Sequence, residues 1–183
     1  MLADFQMRVA EDDNDRKLLS DVAQYGWHIP HIFADETGPC YSFSVGFYLK
    51  FGHPEILLMG LSQPVAHKFI NLIGGHLMTG RVFRPRERTD VLAQGFECCF
   101  IPIATEHYQE YLGYDIWFYR SLKQPFPALQ LVWPDKQGRF PWESDYDQRF
   151  RSLQKLLDVA QPFAGARVRM RPMECPHLIF HHR

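Results

Sequence analysis

At 183 residues, with 46% hydrophobic and 15% aromatic side chains, the chain can bury one domain's core without disulfide or metal staples. Its 20 Lys and Arg against 21 Asp and Glu leave a net charge of −1, which excludes a global attraction to nucleic acid or an acidic membrane. No stretch approaches the roughly 18 apolar residues of a membrane span. The acidic start MLADFQMRVAEDDNDR lacks the basic and apolar layout of a secretory signal. No pairing is indicated among Cys40, Cys98, Cys99 and Cys175, so reduced thiols in a cytoplasm are expected.

Asp13 or Asn14 can cap a first helix through Leu18, Leu19 and Val22 that ends near Gly26. Trp27 to Phe33 alternates and predicts a strand, joined by the turn at 35–39 to a second one. That second strand is expected to be long. Tyr41, Phe43, Val45, Phe47, Leu49 and Phe51 share one face, and Ser42, Ser44, Gly46, Tyr48 and Lys50 share the other. After Gly52-His53-Pro54, the apolar run to Leu61 predicts a strand buried on both faces.

Ser62 and Pro64 predict a helix start, with Val65, Phe69, Leu72 and Ile73 at helical spacing and Gly74-Gly75 weakening its end. Residues 81–90 predict a loop or an exposed strand pair, and Phe96 to Ile103 a buried strand. A short helix at 106–112 stops at Gly113, a further helical turn follows at 114–119, and a strand spans Ala128 to Trp133. Phe150, Leu153, Leu156 and Leu157 predict a last helix over 147–158. Beyond it, alternating Arg167, Arg169 and Arg171 suggest an added edge strand or an ordered arm.

Tyr25-Gly26-Trp27-His28, Ser44-Val45-Gly46, Gly52-His53-Pro54-Glu55, Gly60-Leu61, Leu131-Val132-Trp133-Pro134-Asp135 with Gly138, and Phe140-Pro141-Trp142 occur in this order. The ordered set resembles the bacterial domain-of-unknown-function family 4262 over about residues 25–157. That resemblance implies no catalytic or binding residues, because the family is named for lacking an assigned function.

His28 and His31 suggest a metal pair, but residues three apart on a strand face opposite ways, so no metal and no cofactor are expected. The small face of Ser42, Ser44 and Gly46 calls for a close neighbour, either a packed helix or a ligand. The ligand version has a pocket over Ser44 and Gly46, rimmed by His28, His31, Tyr48 and Arg84. Ser44 lies within a strand rather than on a nucleophile elbow, which disfavours acyl transfer. Glu55 is expected in turn hydrogen bonds before any acid–base couple with a nearby His. Arg81, Arg84, Arg86 and Arg88 fit a solvated loop or an anion contact. Tyr108 and Tyr111, beside Glu106 and Glu110, suit either core rim or an exposed contact with another protein. Trp117 is expected in the core.

These readings predict a single α+β domain over 1–158, followed by a 159–183 arm. Its sheet is mostly antiparallel, with five or six strands and helices packed on one side, chiefly 64–73 and 147–158. The expected function is that of a non-catalytic cytoplasmic binding protein, a regulator or immunity-type partner that recognises another protein. The alternative is an enzyme or small-ligand binder with its pocket over Ser42, Ser44 and Gly46.

Overall fold

A computed structural model describes residues 2, 4–93 and 95–158. Helix α1 (Asp13–Tyr25) forms where expected. Asp12 accepts a bond from the Asp15 N–H at its start, and Gly26 ends it in the left-handed region at φ +97°. The strands are β1 (His31–Ile32), β2 (Tyr41–Phe43), β3 (Glu55–Met59), β4 (Arg88–Thr89), β5 (Cys98–Pro102) and β6 (Ala128–Val132). They form one six-stranded sheet in the order β1-β2-β3-β6-β5-β4, and only the β3–β6 pair is parallel. The domain is α+β with a mostly antiparallel sheet, as the patterning predicts.

Both faces of that sheet are covered. Ile56 and Leu58 of β3 pack with Ile70 and Ile73 of α3 (Gln63–Met78) on one face. Leu57 and Met59 pack on the other, with Leu18 and Val22 of α1 and with Leu112 and Phe118. These last belong to the compact pair α4 (Tyr108–Tyr111) and α5 (Gly113–Phe118) and the junction between them. The expectation of helices on one side is thus incomplete. Every residue of β3 and β6 is buried, and a strand apolar on both faces needs cover on both.

The long strand predicted over 41–51 is corrected. β2 stops at Phe43, and α2 (Phe47–Phe51) takes over after Gly46, whose φ of +121° breaks the extended run. Phe47 and Phe51 satisfy the i, i+4 spacing of a helix as well as the alternation of a strand, and their rings meet at 6.0 Å. Gly46 is needed for two reasons: its φ, and a Cβ there would come within 2.6 Å of the Gly26 carbonyl oxygen. Gly138, at φ +80°, has open space around it. Gly46→Val is therefore expected to destabilise the fold by roughly 2–5 kcal/mol, strain and overpacking together, and Gly138→Ala by only about 1 kcal/mol. Equal denaturation midpoints for the two variants would contradict this.

Three other elements differ from expectation. Only His31–Ile32 of the 27–33 stretch joins the sheet, with His28 held separately in a bridge to Val45. Helix α3 runs on through Gly74, where a Cβ would meet the Trp27 ring at 2.6 Å; that glycine lets the indole dock. In place of a helix over 147–158 there is a 3₁₀ turn, Gln148–Leu153. Beyond it the chain extends across the sheet, held by side chains. Gln154 accepts from the Trp133 N–H and donates to its carbonyl, and Gln130 does the same for Leu157 and Lys155. The arm predicted over 159–183 lies outside the described residues.

Candidate functional site

The most densely bonded polar group in the domain is Glu55, fully buried at the start of β3. Its carboxylate accepts from the Ser44 hydroxyl (2.5 Å), the Gly46 and Tyr48 N–H groups (both 2.9 Å) and the Tyr119 phenol (2.5 Å). Two of these donors open α2, so an acid from β3 caps a helix that has no cap of its own. Asp115 of α5 is buried in the same region, and neither of its oxygens has a hydrogen-bond partner among the described residues. Burial raises the Asp115 carboxyl well above the usual range, and the Glu55 charge adds to that. Burial also pushes Glu55 up, against its four donors. With four donors on Glu55 and none on Asp115, the neutral acid is favoured at Asp115. The Glu55 knot is closed to solvent and holds structure together.

Ser44, Gly46 and Tyr48 thus do not line an open pocket, which corrects the reading of that face as a ligand cradle. The Ser44 hydroxyl and the Gly46 and Tyr48 N–H groups are taken up by Glu55, while the half-buried Tyr48 ring packs edge-on to Tyr119. Arg84 is remote from them in an exposed turn, where its N–H donates to Glu87 (2.9 Å). Glu55 makes neither the expected turn hydrogen bonds nor a couple with His53: its partners lie 7 to 64 residues away, and the His53 ring lies between the Pro54 and Phe83 carbonyls.

His28 and His31 do lie in one neighbourhood. His28 Nδ1 meets the Asp21 carboxylate at 2.6 Å; burial lowers its pKa, and the acid partner opposes that shift. His31 Nδ1 meets the Ser42 hydroxyl at 2.6 Å, across the β1–β2 pair, and its ring lies 5.8 Å from that of His67 on α3. Burial, then the neighbouring His67 and His28, lower the His31 pKa to about 4. It is a neutral imidazole at physiological pH. His31, Ser42, Tyr41 and Phe33 border a recess of about 180 Å³ against the start of α3 at Ser62-Gln63-Pro64. His67 was not singled out in the sequence, because nothing local ties it to His31. Among the described residues no group of three or more His, Cys, Asp or Glu could hold a metal ion.

Tyr41 links this recess to the aromatic segment. Its ring meets Tyr111 edge-on at 5.3 Å, and its phenol donates to the Glu110 carbonyl (3.4 Å). Tyr111 is half-buried beside the exposed Glu106 and Glu110, with Lys155 over its ring at 5.7 Å. Tyr108 is buried, its hydroxyl donating to the Phe126 carbonyl (2.9 Å), which corrects the expectation that Tyr108 and Tyr111 form the accessible pair. Trp117, expected in the core, is half-buried under Arg8. On the first turns of so short a helical segment, periodicity does not say which ring faces the sheet.

Among the thiols, Cys98 and Cys99 are free and buried, and burial pushes Cys98 up to about 12. Cys40 is disulfide-bonded, so the expectation of reduced thiols holds for only two of the described cysteines. No helix of the described residues is long and apolar enough to cross a membrane.

No curated protein and no solved structure matches the chain. A family model does match, over residues 21–147, and that span contains Glu55, Asp115, the histidine recess and the Tyr111 surface. The chain belongs to the family described as Domain of unknown function (DUF4262).

Proposed function

We propose that this protein is a non-catalytic binding protein of the bacterial cytoplasm that recognises another protein through the surface of α4. The observation that carries this reading is the setting of Tyr111. It is a half-buried ring, braced edge-on by Tyr41, with the exposed carboxylates of Glu106 and Glu110 beside it. An amphipathic aromatic held rigid and rimmed by charge suits a protein contact, because it offers area at little cost in side-chain entropy. A regulator or immunity-type role fits such a surface. The free thiols of Cys98 and Cys99 support the cytoplasmic placement, and the disulfide at Cys40 counts against it.

The alternative, an enzyme or small-ligand binder, is favoured by one observation, the recess beside His31 and Ser42. At about 180 Å³ it is small against the roughly 300–1,000 Å³ of ligand pockets. A neutral His31 bonded to Ser42 also has no carboxylate hydrogen-bonded behind it, among the described residues, to complete a nucleophile relay.

Charge reversal tests the preferred reading. Glu106→Lys with Glu110→Lys is expected to leave the melting temperature unchanged, since both side chains are exposed. Co-purifying proteins, quantified by mass spectrometry, are expected to fall about tenfold or more, the equivalent of about 1.4 kcal/mol. An unchanged set of proteins at unchanged abundance would remove this surface from consideration.

A further inference from the structure

Asp115 is a fully buried acid of α5 that no hydrogen bond among the described residues offsets. Both its oxygens lack partners, and no cation lies within ion-pair distance of it among the described residues. The groups that face it are an acid and two phenols. Glu55 approaches from β3. Tyr108 approaches from α4, its hydroxyl committed to the Phe126 carbonyl. Tyr119 lies at the end of α5, its hydroxyl committed to Glu55. From α1, Asp12 and Asp15 act on the adjoining Tyr114, adding negative charge on that side. None of these groups offers Asp115 a countercharge, and Glu55, Tyr108 and Tyr119 are each already bonded elsewhere; the cation on this side, Arg8, lies over the Trp117 ring and pairs with Glu11.

We propose that Asp115 and Glu55 form a proton-controlled latch: α5 stays docked while Asp115 is a neutral acid, and loss of its proton to solvent base frees α5 and loosens the adjoining α4. Glu55 is the poorer neutral member: the Gly46 and Tyr48 N–H groups and the Tyr119 phenol all donate to Oε1, and a proton on Oε2 would force the Ser44 hydroxyl, which already accepts from the Ile56 N–H, to turn from donor to acceptor. Ionised Asp115 would then be an unpaired charge beside an anion in a closed site, and the helix exposes it to water instead. The latch stands on the buried pair alone. That α4 presents a partner surface rests on the reading above, so this device would make recognition weaken as pH rises.

The sign follows from linkage. The folded-state pKa of Asp115 is raised above its unfolded value of about 3.9, so its contribution is complete below that pH and declines as pH rises toward the folded pKa. Two measurements test the latch without reference to any partner. Melting curves from about pH 4 to about pH 10 compare the wild type with Asp115→Asn, in which other titrating groups are common to both. The wild type is expected to lose at least twice as much melting temperature as the Asn variant as pH rises across that range. Hydrogen exchange over 105–119 should quicken there in the wild type alone. Parallel melting curves would overturn the proposal. Should the variant fail to fold, infrared spectra of the wild type decide. A protonated-carboxyl band that persists at about pH 6, where ordinary carboxyls are ionised, and disappears as α5 begins to exchange supports the latch, and absence of that band at about pH 6 overturns it.

Discussion

Glu55→Ala is expected to lower the unfolding free energy by about 3–5 kcal/mol, the usual consequence of deleting one partner of a buried, hydrogen-bonded charge. The substitution strands four donors at once: the Ser44 and Tyr119 hydroxyls and the N–H groups of Gly46 and Tyr48. Only Ser44 and Tyr119 can rotate to seek another acceptor, because the N–H groups are fixed by the start of α2. Glu55→Gln keeps the shape and one acceptor oxygen, so a smaller loss of about 1–2 kcal/mol is expected. Urea denaturation followed by circular dichroism measures both. An Ala variant within about 1 kcal/mol of wild type would mean that α2 is held by the packing of Phe47 and Phe51 rather than by this carboxylate.

Gly60→Ala is the second substitution expected to damage the fold severely, by roughly 2–5 kcal/mol from strain and collision combined. Gly60 ends β3 at φ +74°, and a Cβ on it would stand 2.2 Å from the carbonyl oxygen of Leu153 and 2.8 Å from its carbonyl carbon. The obstacle is backbone, so no rotamer change relieves it. Relief would require lifting the 148–153 turn, which carries Phe150 onto the Trp133 ring at 5.7 Å. The Trp133 indole N–H also donates to the Met59 carbonyl (2.9 Å), so its fluorescence should report the shift. Gly80→Ala separates the two effects. Gly80 has φ +86° but nothing within 4 Å of a new Cβ, so it should cost about 1 kcal/mol for strain alone. Equal losses at Gly60 and Gly80 would rule out the collision.

Local chemistry and periodicity made α1, α3, β3, β5 and β6 legible in advance. Each is either a capped amphipathic run or an apolar stretch bounded by turn residues, and those signals lie within a dozen residues of one another. The ordered motifs also carried the family, which the match over residues 21–147 bears out. Misreadings arose where two periods fit one segment. Phe47 and Phe51 suit both strand and helix, and the choice between them was made by a carboxylate from β3 that bonds the N–H groups of Gly46 and Tyr48. The 147–158 segment failed for a similar reason. Its leucines have helical spacing, but Gln154 and Gln130 trade hydrogen bonds with strand β6 and the extended chain, and those bonds offset the helical preference.

By itself, then, the sequence determined a single α+β domain, its family, its core strands and the positions of its major helices. Each of these follows from apolar spacing that neighbouring residues supply. Tertiary structure alone decided that Ser44, Gly46 and Tyr48 serve Glu55 instead of a ligand, and that Tyr108 turns inward while Tyr111 stays at the surface. It also brought His31 to His67 and Asp115 to Glu55, pairs separated by dozens of residues. Such pairings depend on which sheet face each strand presents and on which helix covers it. No local pattern encodes that choice, because burial, not spacing, sets the energy of a polar group far from its partner in sequence.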